Sequence, residues 1–173
     1  MTGQDGMNCG NILYAFHEGT WVMRLRGDVR APWCASMDSL IEQAFADSSL
    51  RSIVIDLHET TNIDSTMLGL LAKIAIQSRN RLAAPPLLLA PNDDIRRLLD
   101  SMCLQQVFRI ADSETEHVCE CAELALVDRP ESDLCRQIAD AHRVLMDIDE
   151  RNRAAFNEVV ATLESRQRAS TGS

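Results

Sequence analysis

One hydroxyl in this sequence, that of Ser65, lies where a phosphate could be added and accommodated. Ser65 belongs to a polar segment, residues 60–66, between a run of β-branched residues and an apolar helical pattern. A hydroxyl at the start of a helix is close to unsatisfied backbone N–H groups and to the positive end of the helix dipole, which together favour an anion. Phosphorylation would add about −1.5 to −2 charges at pH 7. Because Asp64 would repel this phosphate, we expect modification to change binding more than folding.

The same segment also has a simpler interpretation, in which it only caps the helix. Asn62 and Asp64 are both good N-cap residues, because their side-chain oxygens can accept bonds from free helical N–H groups. No His or Lys lies within the motif to act as a base, so Ser65 is interpreted as a substrate hydroxyl and not as an activated nucleophile. His58, upstream of the motif, is interpreted as a loop residue.

Alternating strands and helices are predicted to position this segment. Two short alternating runs on either side of residues 17–20 predict a β-hairpin. The further predicted elements, in chain order, are a helix over 37–45, a strand over 53–57, a helix over 67–75, a strand over 87–90, a helix capped by Asn92, a strand over 107–110 and a helix over 118–126. This order predicts an α/β layer structure with right-handed crossovers.

The chain beyond Pro130 has a different pattern. Residues 131–168 contain neither Gly nor Pro and are predicted to form one long helix or two. Their apolar residues form an imperfect heptad seam, which consists of Leu134, Ile138, Ala141, Leu145, Ile148, Asn152, Ala155, Val159 and Thr162. Phe156, Val160 and Leu163 lie just off this seam and widen it. Self-association as a homodimer, folding back onto the domain and binding another protein all remain open. Residues 169–173 are expected to be a disordered tail.

The composition narrows the class of function. The chain has 173 residues, of which 46% are hydrophobic and 4% aromatic, and its formal net charge is −9. The hydrophobic share supports a folded core, whereas the acidic balance and the few aromatic residues argue against nucleic-acid binding. The six cysteines lack zinc-site spacing, and neither a signal peptide nor a run of about 20 apolar residues is present. We therefore expect a cytoplasmic protein with reduced thiols, no bound metal and no insertion into a membrane. Residues 1–10 are expected to be a flexible leader.

Several segments, taken in order, resemble the anti-anti-sigma factors of bacteria, which belong to the STAS-domain family. The matching segments are residues 25–29, 53–57, 64–69, 95–100 and 107–110. The central motif of the family is Asp-Ser-Ser/Thr-x-x-Gly, which Asp64, Ser65, Thr66 and Gly69 satisfy. The resemblance implies a STAS-type mixed β-sheet with helices packed mainly on one face. This domain would span residues 11–127 and be followed by the helical extension.

The resemblance also implies a partner-switching function. In the family, the serine after the motif aspartate is phosphorylated by an anti-sigma factor that is a serine kinase. A metal-dependent serine phosphatase, in some cases fused to a response regulator, removes the phosphate. The unphosphorylated form binds the anti-sigma factor and thereby frees a sigma factor. Ser65 holds the acceptor position here and Thr66 is the runner-up. ATP, Mg²⁺ and the phosphatase metals would belong to the partners, so this chain is expected to be no enzyme and to bind no cofactor.

Partner contacts are implied at the positions around the acceptor, namely Asp28, Asn62, Asp64, Ser65, Thr66 and Met67. Two residues depart from the family pattern. Arg30 replaces the last carboxylate of the Gly-Glu-Leu-Asp that often follows the second strand, and Met67 stands where a Gly is common. The alternative is a STAS subunit of a membrane transport system, such as a lipid-transport ATPase. That subunit would be a non-enzymatic binding module with the same fold but without dependence on phosphorylation.

Overall fold

The computed structural model describes residues 10–112 and 120–172. Within these residues the strands form one sheet, and they are β1 (Asn11–His17), β2 (Thr20–Val29), β3 (Ser52–Asp56), β4 (Thr60–Ile63), β5 (Leu87–Leu89), β6 (Arg109–Ala111) and β7 (Ala122–Glu123). The helices are α1 (Cys34–Ala46), α2 (Ser65–Ser78), α3 (Asp93–Ser101), α4 (Glu131–Ile148) and α5 (Glu150–Thr171). Short 3₁₀ helices cover Ala31–Trp33 and Leu104–Gln106.

The sheet is mixed, as predicted. Its strand order is β6-β5-β3-β2-β1-β7, and β4 pairs with the end of β2 beside this path. Strands β2, β3, β5 and β6 are parallel to one another, whereas β1 is antiparallel to both β2 and β7. The predicted hairpin is confirmed: Glu18 and Gly19 form its turn with φ angles of 48° and 84°, the left-handed pair that a tight hairpin turn requires.

The main core lies between the helices and one face of the sheet. Alternate residues of β2, including Met23 and Leu25, point to this face and are buried. The intervening Val22 joins Val54 of β3 in a small cluster on the opposite face. Strand β3 is thus apolar on both sides, as its continuous β-branched run predicted.

Two segments differ from the prediction. Residues 60–63 were predicted as loop but form β4, where Thr60 pairs with Gly27 and its Oγ1 donates to the Leu25 carbonyl over 2.8 Å. The predicted helix over 118–126 is wrong where the structure describes it, because Ala122 and Glu123 pair with the free edge of β1. Pairing across the sheet overrides the helical preference of an Ala- and Leu-rich segment. Residues 118–119 lie outside the described residues, as does most of the predicted leader.

Residues beyond Pro130 form two helices that fold back onto the domain, which is one of the three interpretations left open by the sequence. The break falls at Asp149, which caps α5 by accepting a bond from the Arg151 amide over 2.9 Å. His142 of α4 contacts Phe156 of α5, and Leu145 is bonded to Asn152, so the two helices run antiparallel. We call α4 and α5 the C-terminal hairpin.

The hairpin uses only part of the predicted seam. In α5 the buried positions are Asn152 and Val160, with Phe156 half-buried, whereas the seam residue Val159 is exposed. The contact stripe of α5 therefore begins at the seam residue Asn152 and continues through Phe156 and Val160, which lie off the heptad positions. The helix also continues to Thr171, so the first three residues of the predicted disordered tail are helical in this structure.

Candidate functional site

Ser65 is the first residue of α2, and Asp64 holds it there as the N-cap. The Oδ1 atom of Asp64 accepts from the Met67 amide over 2.9 Å, and its Oδ2 accepts from the Ala31 amide over 2.7 Å. The carboxylate thus caps α2 and ties it to the 3₁₀ helix that follows β2. Asn62, the other predicted cap residue, is exposed, and its Oδ1 accepts from the Ile63 amide instead.

The Ser65 hydroxyl is hydrogen-bonded to an imidazole from the C-terminal hairpin. Its Oγ lies 2.8 Å from Nε2 of His142, which is 4% exposed. The other ring nitrogen, Nδ1, lies 2.7 Å from the Ile138 carbonyl oxygen. Because a carbonyl oxygen only accepts, Nδ1 carries a proton, and in the neutral ring Nε2 is then an acceptor. The Ser65 O–H therefore donates to His142.

This pairing corrects the inference that no base lies near Ser65. The base is 77 residues away in sequence and reaches the hydroxyl through folding. A hydroxyl bonded to an oriented imidazole has the first two parts of an activated-nucleophile arrangement, although a backbone carbonyl holds the ring here and not a carboxylate. The only signal in the sequence is that His142 falls between Ala141 and Leu145 on the apolar stripe of α4.

Asp28 and Asn62 lie side by side near the start of α2. They are partners in the register of the parallel strands β2 and β4. The Nε atom of Arg30 donates to both Asp28 carboxylate oxygens, over 2.8 and 2.9 Å. This bond and the charge of Asp28 raise the pKa of Arg30, with a further contribution from the charge of Asp64. Arg30, which departs from the family pattern, thus pairs with the negative charge of Asp28 beside the site.

Thr66 and Met67, the other predicted contact residues, do not reach the surface of this structure. Thr66 is 4% exposed and Met67 is 0% exposed, because both side chains point into the domain from the first turn of α2. The partner contacts implied at Thr66 and Met67 are therefore not accessible in this conformation. Asp28, Asn62, Asp64 and Ser65 keep some exposure.

The nearby thiol of Cys34 is not a reactive group. Burial, together with smaller contributions from the charges of Asp64 and Asp38, raises its pKa to about 12. At neutral pH it is protonated and inert. Within residues 10–112 and 120–172, no cluster of three His, Cys, Asp or Glu side chains could hold a metal ion.

A second polar cluster lies on the opposite face of the sheet from α2, and His58 belongs to it. Asp56, 3% exposed, is bonded through Oδ1 to His58 Nδ1 over 2.6 Å and through Oδ2 to Arg24 Nε over 3.1 Å. Burial raises the pKa of Asp56, but the bonds from His58 and the charges of His58 and Arg24 more than offset it, so the pKa lies below its usual value. His58 follows β3 as a loop residue, as predicted, and holds this carboxylate.

A family model, the STAS domain, matches residues 11–117, and the chain therefore belongs to the STAS-domain family. It is similar in fold to the anti-sigma factor antagonist SpoIIAA in its unphosphorylated form, with 19% identity and a TM-score of 0.50 over 60% of this chain and 88% of that chain. The phosphorylated form of SpoIIAA, a Bacillus cell fate determinant, matches with 20% identity and a TM-score of 0.49 over 60% of this chain and 93% of that chain. No curated protein matches significantly. In the described parts of the chain, every helix is too short or too polar to cross a membrane.

Proposed function

We propose that this chain is an anti-sigma factor antagonist whose binding to an anti-sigma factor is controlled by phosphorylation of Ser65. The observation that carries the proposal is the position of Ser65. It is the first residue of α2, directly after the capping Asp64, in a chain of the STAS family. In this position the hydroxyl projects from a helix N-terminus that favours an added phosphate.

The charges around Ser65 make a phosphate a strong change of surface. Asp64 already has a backbone N–H on each carboxylate oxygen, and Asp28 is paired with Arg30. Each carboxylate of the unmodified site thus has its partners within the chain, and a phosphate would add about −1.5 to −2 charges to the site. A partner that fits the unmodified surface would meet this charge directly, so phosphorylation weakens binding.

The burial of Thr66 favours Ser65 over its neighbour as the acceptor. Thr66 is 4% exposed on the inner side of the helix, whereas Ser65 is half-buried at its start. The kinase that adds the phosphate and the phosphatase that removes it would be separate proteins, and this chain would supply only the hydroxyl.

The test is the mass of the intact chain after incubation with its cognate anti-sigma kinase and ATP. We expect a gain of one phosphate, complete loss of that gain in Ser65→Ala, and an unchanged gain in Thr66→Val. Thr66→Val is the matched control because it removes the neighbouring hydroxyl while keeping the size of a buried side chain.

If the mass gain of one phosphate remains in Ser65→Ala and is lost in Thr66→Val, the acceptor is Thr66 and not Ser65. Absence of modification by any cognate kinase, together with co-purification with a membrane transporter, would contradict the proposal and favour a transporter-associated STAS subunit.

A further inference from the structure

The face of α2 that carries Ser65 is covered by another part of the same chain. Helix α4 packs along α2, and His142 takes the Ser65 hydroxyl as its hydrogen-bond partner. We infer that the C-terminal hairpin is a reversible cover over Ser65, which must open before a kinase or an anti-sigma factor can reach this face. The inference rests on the proposed function only for the identity of those partners. The cover itself is a property of the fold.

Gly69 allows the cover to lie close. A Cβ built on Gly69 would overlap the Ala141 carbonyl oxygen and would lie 2.7 Å from its carbonyl carbon and 2.9 Å from its Cβ. The three heavy atoms nearest to this position all belong to Ala141. Glycine is costly inside a helix, and here its missing side chain is the space that the α4 backbone occupies. The motif glycine therefore sets the distance between the two helices in this chain.

His142 joins the cover to the acceptor itself. Its ring is buried, with Nδ1 bonded to the Ile138 carbonyl and a T-shaped contact with the ring of Phe156 at a centroid distance of 4.9 Å. The ring is thus fixed by both helices of the hairpin, and Nε2 is aimed at Ser65. While this bond exists, the Ser65 proton and one side of its oxygen are unavailable to another molecule.

The far end of the cover is anchored by polar bonds, by the buried side chain of Leu145 and by half-buried apolar side chains such as Ile148. Asn152, 1% exposed, donates through Nδ2 to the carbonyl oxygens of Met102 and Leu145, each over 2.9 Å. Gln106 donates to Asp149 over 2.8 Å, and Leu145 is fully buried in the domain core. Polar groups regain hydrogen bonds from water when they separate, so a contact rich in them opens at lower cost than an aliphatic one.

The chain entering the hairpin provides a hinge. Ser36 holds the preceding segment, because its Oγ donates to the Ala125 carbonyl over 2.8 Å and accepts from the Val127 amide over 2.9 Å. Residues 128–130, between this clamp and α4, are all exposed. Rotation about these residues would lift the hairpin without disturbing the sheet.

The cover lowers the apparent affinity of any partner for this face. A partner that binds only the open form has an apparent Kd equal to its intrinsic Kd divided by the open fraction. Substitutions that open the hairpin should therefore accelerate phosphorylation and tighten anti-sigma binding, although they touch neither partner.

The main test uses Gly69→Ala in the full chain, with hydrogen–deuterium exchange as the first readout. The added methyl group collides with Ala141, whereas alanine is more favourable than glycine within α2 itself. We expect amides of α4 and of the first turn of α2 to exchange about 10- to 100-fold faster, while those of β2 and β3 are unchanged. Gln77→Ala, at an exposed position of the same helix, is the control and should leave exchange unchanged.

A second variant, His142→Phe, removes the acceptor for Ser65 and keeps a ring against Phe156. We expect exchange in the same segments to rise about 3- to 10-fold. Val159→Ala, at an exposed position of α5, is its control. Unchanged exchange in both Gly69→Ala and His142→Phe would overturn the cover, as would faster exchange throughout the sheet.

Kinase assays on the same variants separate the two proposals. Faster phosphorylation of Ser65 in the variants that exchange faster supports the inference that the cover limits access of the kinase. Faster exchange with an unchanged phosphorylation rate would show that the cover does not limit access of the kinase, while Ser65 would still be the acceptor. If no cognate kinase modifies any variant, the proposed function fails, and the exchange data alone support or overturn the cover.

Discussion

The core of the STAS domain and the contact between α2 and the C-terminal hairpin are built from different kinds of residue. The core contains large aliphatic side chains that are fully buried, such as Ile55 and Leu71. Where α2 meets α4, the contact includes the close approach of Gly69 to Ala141 and the bond between His142 and the Ser65 hydroxyl, and the apolar side chains of the hairpin beside it are mostly half-buried. The first region loses tightly packed apolar area when it separates, whereas the second loses less apolar area together with hydrogen bonds that water can replace.

This difference assigns the two regions different functions. A domain core that must persist benefits from apolar burial, which water does not replace. A cover that must open benefits from contacts that water can replace at low cost. Within the hairpin, Leu145 is the large aliphatic residue that is fully buried in the domain core, whereas Leu134, Val144 and Ile148 are half-buried against it. Leu145 is therefore the residue that should decide how firmly the cover is attached.

The largest expected effect comes from the matched pair Leu71→Ala and Leu145→Ala, both of which shorten fully buried leucines. Leu71→Ala should lower the free energy of unfolding of the domain by about 2–5 kcal/mol. Leu145→Ala should create a similar cavity. Because the hairpin can detach from the domain, we expect this variant to lose stability in the hairpin and not in the rest of the domain. Denaturant unfolding and hydrogen–deuterium exchange measure the two cases.

In Leu145→Ala we expect faster exchange in α4 and α5 with the sheet still protected, and in Leu71→Ala faster exchange throughout. Equal loss of protection in the sheet for both variants would show that the hairpin and the domain unfold as one unit, and the distinction between the regions would be wrong.

Most elements of the domain could be predicted because their patterns are local. The helical stripe of α1 and the β-branched run of β3 follow from side-chain periodicity within a few residues. Strand β4 was missed because its four residues are mostly polar and become a strand by pairing with β2. Strand β7 was missed for the same reason, since the edge of β1 outweighs the local helical preference of its segment.

The site divides in the same way between local and long-range causes. Asp64 as a cap and Ser65 as the hydroxyl beside it follow from their positions at a helix start. His142 could not be predicted, because its bond to Ser65 spans 77 residues. Met67 was assigned to the surface by its place in the motif. Its spacing from Leu70, Leu71 and Ile74 is that of a buried stripe, and this signal would have placed it inside.

A smaller effect is expected from Asp64→Ala, at the border between the two regions. This change removes the bonds to the Met67 and Ala31 amides, so the free energy of unfolding should fall by about 1–2 kcal/mol. Asn62→Ala, at the neighbouring exposed residue, should change it by less than about 0.5 kcal/mol. Thermal or denaturant unfolding of both variants measures this contrast. Equal losses would mean that Asp64 is not the residue that caps α2.

The smallest expected effect is a pH dependence that should appear in the sheet and not in the cover. The pKa of Asp56 is below its usual value in the folded chain, so its charged form stabilises the fold at neutral pH, and this contribution is lost as the pH falls below about 4. Asp56→Asn should therefore lose less stability between neutral pH and pH 3 than the unmodified chain, by a margin smaller than the Asp64 effect. Asp100→Asn, at an exposed aspartate, is the control variant. If Asp56→Asn loses as much stability between neutral pH and pH 3 as the unmodified chain, the bonds from His58 and Arg24 do not hold a charged carboxylate. Hydrogen–deuterium exchange at acidic pH shows where the effect of Asp56 is felt. If Asp56→Asn changes this exchange in α4 and not in β2 and β3, the domain core and the C-terminal hairpin are coupled across the sheet.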